Sequence, residues 1–309
     1  MIGRIVEIAE NNRHLAVFYG FMVIKESKTQ TEIKRIALDS IVAVIGNAHG
    51  LSYSNNLLVA LAKEGIPFVL CAANHNAVGM LLPLDDNFEQ SRRIDAQIKA
   101  KLPVHKRLWS QVVRAKLEQQ ALLLERLGIS CEVLWRLSRS VKSGDPQNLE
   151  AQGARYYWQR LFGKNFRRDR HSGAINSLLN YGYTILRATV ARAVVAAGLH
   201  PSIGLHHANA SNAMRLVDDL MEPFRPMVDL VVFKLAQNGV LEVAADAKRA
   251  LAKVAYYDMQ TQNGTTPVMV CAQKLAVSLA QVYLGERRDL ELPLPQLPDE
   301  LFEIKDEFC

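Results

Sequence analysis

Cysteine is scarce in this 309-residue chain: Cys71, Cys131, Cys271 and Cys309 are the only four, with no CxxC pair and no zinc-ligand spacing to histidine. A disulfide-stapled scaffold and a structural zinc module are excluded, and isolated thiols suit a reducing cytoplasm. No window reaches the roughly 18 uninterrupted apolar residues of a membrane span. The N-terminal run MIGRIVEIAENNRH has no basic segment leading into an apolar stretch, so no secretory leader is expected. Walker A, post-strand GxGxxG, GxSxG and HExxH are all missing, which disfavours phosphate cradles, the common hydrolase elbow and zincin chemistry. At 49% hydrophobic and 22% charged residues the chain is neither disordered nor collagen-like. The expectation is a soluble cytoplasmic protein without membrane contact, long enough for about two domains.

Charge is unevenly spread. The net +6 resolves into −2 over residues 1–91, +11 over 92–170 and −3 over 171–309. One segment supplies the whole excess, as a polyanion-binding surface would, although a solvated helical face gives the same count.

The hydrophobic pattern changes character along the chain. Before residue 85, short apolar runs recur about every ten residues, near 5–7, 15–19, 21–25, 33–37, 41–45 and 66–70, with a Ser-capped helix over 54–63. Beyond a linker near 84–90 the period becomes helical: 87–102, 105–127, from Asp145-Pro146 to 162, 175–197, 211–221, 226–236 and 268–284. In the second of these, Leu108, Val112, Ala115, Gln119 and Leu122 mark the inner face and Lys and Arg fill the others. The reading is α+β: a small β-sandwich-like N-terminal domain (1–85), a larger all-α catalytic domain (86–285), and an acidic, Pro-containing tail (286–309), exposed and mobile.

The chemistry-bearing residues lie in the helical part. Glu150 shares a helix face with Ala154, Tyr157 and Leu161, and a carboxylate there must be paired, protonated or bound to a metal. Arg155 or Arg114 is the available ion-pair partner. His206 and His207 precede a helix carrying Asp218, Asp219 and Glu222, three acids crowded at one helix end. A divalent cation would relieve that repulsion, as would salt bridges to Arg215 and Arg225. Pro223 turns Glu222 away from helical geometry. Carboxylates with one imidazole and no thiolate suit Mg²⁺ or Mn²⁺. Together with the basic segment, this points to a metal-dependent nucleic-acid phosphoryl transferase. Arg155, Arg160, Lys164, Arg167, Arg168, Arg170 and His171 are further candidate phosphate contacts. Tyr156, Tyr157 and Trp158 are candidates for base stacking or for the core.

Four blocks then resemble the first and most widespread family of CRISPR-associated proteins, the adaptation integrases: NLEAQGARYYW from Asn148, LNYGYT from Leu179, GLHPSIGLHHAN from Gly198 and DLMEPFRP from Asp219. They stand in the family's order and spacing. The resemblance implies a metal-dependent DNA endonuclease and integrase that inserts captured foreign DNA into a CRISPR array during antiviral defence. It implies metal ligation by Glu150, His207 and Glu222, with His206 the alternative imidazole and Asp219 a possible additional acid. The Glu222 and Asp219 pattern resembles the type II branch. It further implies DNA-backbone contacts from Arg155, Lys164, Arg167, Arg168, Arg170 and Arg225, and double-stranded prespacer and repeat DNA as partners. A homodimer through the β-rich domain, the small second Cas protein and type II effector machinery complete the implied partners. A non-catalytic DNA-binding scaffold and a metal-dependent RNase are the competing readings.

Overall fold

The computed structural model describes residues 4–72, 77–83, 87–169, 171–262 and 264–298. The chain divides into two compact units, Met1–Gln90 and Ser91–Cys309.

The first unit is built from two four-stranded sheets. Strands β1 (Arg4–Ile8), β2 (Arg13–Phe18), β3 (Phe21–Glu26), β4 (Glu32–Ala37), β5 (Ile41–Gly46) and β6 (Ser52–Tyr53) precede helix α1 (Asn55–Lys63), and β7 (Phe68–Cys71) and β8 (Ala77–Leu81) follow it. One sheet has the order β1-β5-β7-β8, parallel except for β8; the other has β4-β3-β2-β6. β5 is buried on both faces, which explains its unbroken IVAVIG run. Ser54 caps α1 by accepting a hydrogen bond from the Leu57 amide at 3.2 Å. Leu15, Met22, Ile24, Val44, Leu57, Leu61 and Phe68 are among the side chains that fill this core. The short strands β6 and β8 are not legible from periodicity.

The second unit is helical: α2 (Gln90–Lys99), α3 (Leu102–Arg126), α4 (Glu132–Ser140), α5 (Leu149–Phe162), α6 (Ile175–Ala196), α7 (Arg215–Leu220), α8 (Arg225–Gln237), α9 (Ala245–Ala252) and α10 (Val268–Tyr283). Its core helix is α6, packed against α7, α8, α9 and α10, as its nearly all-round apolar sequence requires. A small hairpin, β9 (Asp258–Thr261) with β10 (Gly264–Pro267), interrupts the helices, and neither it nor α4 is expected from the pattern.

Two expectations need correction. α5 begins at Leu149, not at Asp145-Pro146: Asn148 is its cap, while the Asp145 carboxylate accepts from the Leu149 and Glu150 amides at 2.9 and 3.0 Å. The tail is not free over 286–298. Leu290 and Leu297 are buried, the Glu291 amide donates to Ser278 Oγ, and the Leu294 amide donates to the Gln260 carbonyl. Apolar residues between the prolines dock this segment on the helices, and its net charge hides them. Residues 299–309, including Cys309, lie outside the described residues. No helix of the described residues is long and apolar enough to cross a membrane.

Candidate active site

Four elements of the helical unit meet at one point. α3 contributes Trp109 and Lys116, two turns apart on a buried face. The first turn of α5 contributes Glu150. The loop before α7 carries His206 and His207. α7 ends at Leu220, and a 3-10 turn, Glu222–Phe224, presents Glu222. Pro223 sits in that turn and has no amide hydrogen to continue the helix, so Glu222 leaves the line of Asp218 and Asp219.

The Lys116 ammonium lies 2.7 Å from Glu150 Oε1 and 2.5 Å from Glu222 Oε2, bridging the two carboxylates. Arg225 pairs with Glu222 Oε1 at 2.9 Å. Burial opposes ionisation of Glu222, but the Arg225 and Lys116 charges outweigh it and hold its carboxyl below the usual value. Burial likewise opposes the Lys116 charge, and Glu222 and Glu150 overcome it, raising the ammonium's pKa. Glu222 Oε2 has no partner with hydrogen-bond geometry, so this buried oxygen is neutralised without being hydrogen-bonded.

His207 is fixed from behind. Its Nδ1 bonds to Asp219 Oδ1, while Asp219 Oδ2 accepts from the Leu205 and His206 amides at 2.7 and 3.1 Å. The Asp219 hydrogen bond raises the His207 pKa against burial, and the charges of Glu222 and Glu150 add to it. That hydrogen bond leaves Nε2 as the nitrogen available for ligation. His206 instead stacks flat on Trp109, with ring centroids 4.4 Å apart.

The three clustered acids therefore serve three separate partners. Asp218 takes a bidentate pair from Arg187 at 2.8 and 3.0 Å, with Asn212 Nδ2 donating to Oδ2 at 2.7 Å. Asp219 anchors the histidine loop, and Glu222 faces Glu150. Arg215 does not pair with them; its Nε donates to the Ser202 carbonyl. Neither Arg155 nor Arg114 neutralises Glu150, because Lys116 does. The sequence pattern puts Lys116 on the solvated face of α3, yet it lies four residues after Val112 and three before Gln119, a spacing that points inward.

Among the candidate DNA contacts, Arg155, Lys164 and Arg167 are exposed. Arg168 is half-buried, donating to Asn176 and Asn180 at 3.1 and 2.7 Å. Arg225 points inward, to Glu222 and over the Tyr183 ring at 4.6 Å. Arg170 lies outside the described residues. Tyr157 is a core residue, fully buried, with its hydroxyl donating to Asp229.

Asp229 is a further buried carboxylate, and one that the sequence does not mark. Tyr157 and Tyr183 donate to it at 2.9 and 2.5 Å. Burial pushes it up to about 7, although both tyrosine hydrogen bonds pull the other way. A carboxyl whose folded pKa lies above its unfolded value loses stability as pH rises from about 4 to about 7. Asp229→Asn is expected to flatten that decline, on the order of a few kcal/mol, in urea melts at pH 5 and pH 8. An unchanged pH profile would refute the assignment.

Among the described residues, no three His, Cys, Asp or Glu side chains are grouped to hold a metal ion as they stand. The donor set nevertheless fits a hard divalent cation. Two carboxylates already share one cationic group, a buried carboxylate oxygen lacks a hydrogen-bond donor, and an oriented imidazole stands within their field.

The chain thus joins a two-sheet unit to a helical unit in which two glutamates and an oriented imidazole come together. The family model for CRISPR associated protein Cas1 matches residues 7–259, and the chain belongs to that family. It is 32% identical over 270 residues to the CRISPR-associated endonuclease Cas1 of Neisseria meningitidis, covering 86% of this chain and 88% of the relative. It is 33% identical over 248 residues to a Cas1 endonuclease of Pyrobaculum aerophilum, covering 72% and 81%. A casposase bound to integration product shares the fold, with a TM-score of 0.76 at 19% identity over 98% of this chain and 94% of that one. A Cas6-RT-Cas1–Cas2 complex chain gives a TM-score of 0.74 at 17% identity, covering 96% and 36%.

Proposed function

We propose that this protein is a metal-dependent DNA integrase and endonuclease of CRISPR adaptation, in which Glu150, His207 and Glu222 hold Mg²⁺ or Mn²⁺. The observation that carries this reading is the convergence of two carboxylates on one buried cationic group, beside an imidazole whose orientation a fully buried aspartate fixes. The names of the relatives, endonucleases, and of a structural neighbour caught with an integration product support the same chemistry. When bound, the ion stabilises charge developing on the phosphodiester and leaving oxygens. The protein's residues do the positioning: Asp219 holds His207 through Nδ1, leaving Nε2 for ligation, and Arg225 pairs by charge with Oε1 of Glu222. The 3′-hydroxyl of incoming DNA attacks a phosphorus at the repeat boundary; one P–O bond forms, one breaks, and the displaced strand leaves with its own 3′-hydroxyl. With water as nucleophile the same site cleaves DNA.

The partners in this reading are double-stranded prespacer and repeat DNA, a second copy of the chain through the β-rich domain (1–85), the small second Cas protein and type II effector machinery. The Cas1–Cas2 complexes among the structural neighbours support the second Cas protein. Exposed Arg155, Lys164 and Arg167, within the basic segment, suit sequence-independent contacts to phosphate.

A scaffold reading has one observation in its favour: Lys116 and Arg225 already neutralise both glutamates. Thermal melts in Mn²⁺ separate the two. A metal site raises the melting temperature by several degrees at saturation, because only the folded state binds the ion, and Glu150→Ala or His207→Ala abolishes the rise. A scaffold shows no rise, and strand transfer by purified Glu150→Ala or His207→Ala protein would refute the proposal. Duplex DNA compared with RNA of the same sequence separates this activity from RNA cleavage.

A further inference from the structure

Lys116 is a buried charged group that the reaction itself does not use. Its side chain is 9% exposed, and among the described residues it alone pairs with both glutamates, whereas Arg225 pairs with Glu222 only. Its nitrogen lies between carboxylate oxygens from α5 and from the 3-10 turn, within 2.7 Å of each. That is the place a cation shared by Glu150 and Glu222 would occupy. Resting on the metal-dependent reading above, we infer that the Lys116 ammonium is a built-in stand-in for the metal: it holds the metal-free site together and must withdraw for the ion to enter, which sets the site's metal affinity.

Three features of the chain support the exchange. Two carboxylates held this close repel unless a positive charge lies between them, so a metal-free site without Lys116 would open or take up protons. An ammonium is a compact charge on a flexible four-carbon stem and can retreat by rotating that stem; a guanidinium's planar fork pairs two oxygens more rigidly. The Lys116–Glu222 contact lacks hydrogen-bond geometry at Oε2, so withdrawing the ammonium gives up one directed hydrogen bond, to Glu150 Oε1 at 2.7 Å, and only charge pairing at Glu222. The ammonium and a divalent ion cannot share the position, because like charges at that separation repel strongly in a buried site.

The test is Mn²⁺ binding by the full chain, without DNA, followed by the electron paramagnetic resonance signal of free Mn²⁺. Lys116→Met is expected to bind Mn²⁺ about ten-fold more tightly than the wild type, while its metal-free melting temperature falls. Lys116→Arg, which keeps the charge and grips the pair, is expected to bind no more tightly than the wild type. Lys116→Gln is measured alongside, so that a folded neutral variant is available by circular dichroism if Lys116→Met collapses. Equal or weaker Mn²⁺ binding in a folded neutral variant would overturn the inference and leave the metal site standing. Tighter binding by Lys116→Arg would also overturn it. No Mn²⁺ binding by wild type or variants would overturn the metal reading, and this inference with it.

Discussion

Replacing Glu222 by Ala is expected to reduce strand transfer by at least about 100-fold and to lower stability by about 3–5 kcal/mol. On the proposed metal-dependent reading, the activity loss follows from removing a ligand of an ion whose contribution to charge stabilisation is several kcal/mol. The stability loss has a separate origin. Glu222 is buried, and truncating it leaves Lys116 with a single partner and Arg225 with none of its carboxylate. An uncompensated buried cation is among the costlier defects a fold can carry. Glu150→Ala should differ in proportion. That side chain is 20% exposed and Lys116 would keep Glu222, so activity falls as far while stability falls less. Glu222→Gln separates the two effects further, since it keeps the shape and removes the charge. Urea melts and a strand-transfer assay on the same preparations read both quantities, and wild-type stability in the Glu222→Ala protein would contradict the ion-pair geometry.

A second large effect is expected from a single methyl group. A Cβ on Gly204 would lie 2.9 Å from the His207 carbonyl oxygen and 3.0 Å from both Arg215 Cβ and Asp219 Oδ2. The first of these is backbone and the last is a fully buried carboxylate bound to four groups of the histidine loop, so neither can retreat cheaply. The loop must move instead, and His207 moves with it. A misplacement on the scale of 1 Å costs roughly 100-fold in rate. Gly204→Ala is therefore expected to retain fold and DNA binding while losing about that factor in kcat. Gly173→Ala, where an added Cβ meets nothing within 4 Å, is the control. Equal kcat values for the two variants would show that the loop tolerates the displacement and that His207 is not held as described.

How much of this is legible in the sequence depends on whether the signal is local. Strands β1 to β5 and β7 of the first unit and the long helices α3, α6, α8 and α10 follow from periodicity, because their apolar residues recur at strand or helix spacing or form short fully buried runs. The start of α5 does not follow. Asp145-Pro146 looks like a cap, but both Asp145 and Asn148 adopt positive φ, and the helix waits for the second. Glu150, His207 and Glu222 are candidates from residue type and from the family's blocks. Their spacing misleads in one respect: Asp218, Asp219 and Glu222 look like one acidic cluster, and each has its own partner on a different element. Lys116 escapes notice because a lysine among many lysines and arginines carries no local mark of burial. Its partner Glu150 is 34 residues away, across α4. Asp229 escapes likewise, since only the fold brings Tyr157 and Tyr183 to it.

The central claim is that Glu150, His207 and Glu222 share one divalent cation. Crystals of the full chain soaked in Mn²⁺ and measured at the manganese absorption edge test it most directly. One anomalous peak per chain is expected, bounded by a carboxylate oxygen from each glutamate and by His207 Nε2, with the Lys116 ammonium withdrawn from between the glutamates. Lys116 still bridging Glu150 and Glu222 at saturating Mn²⁺, with no peak beside His207, would contradict it.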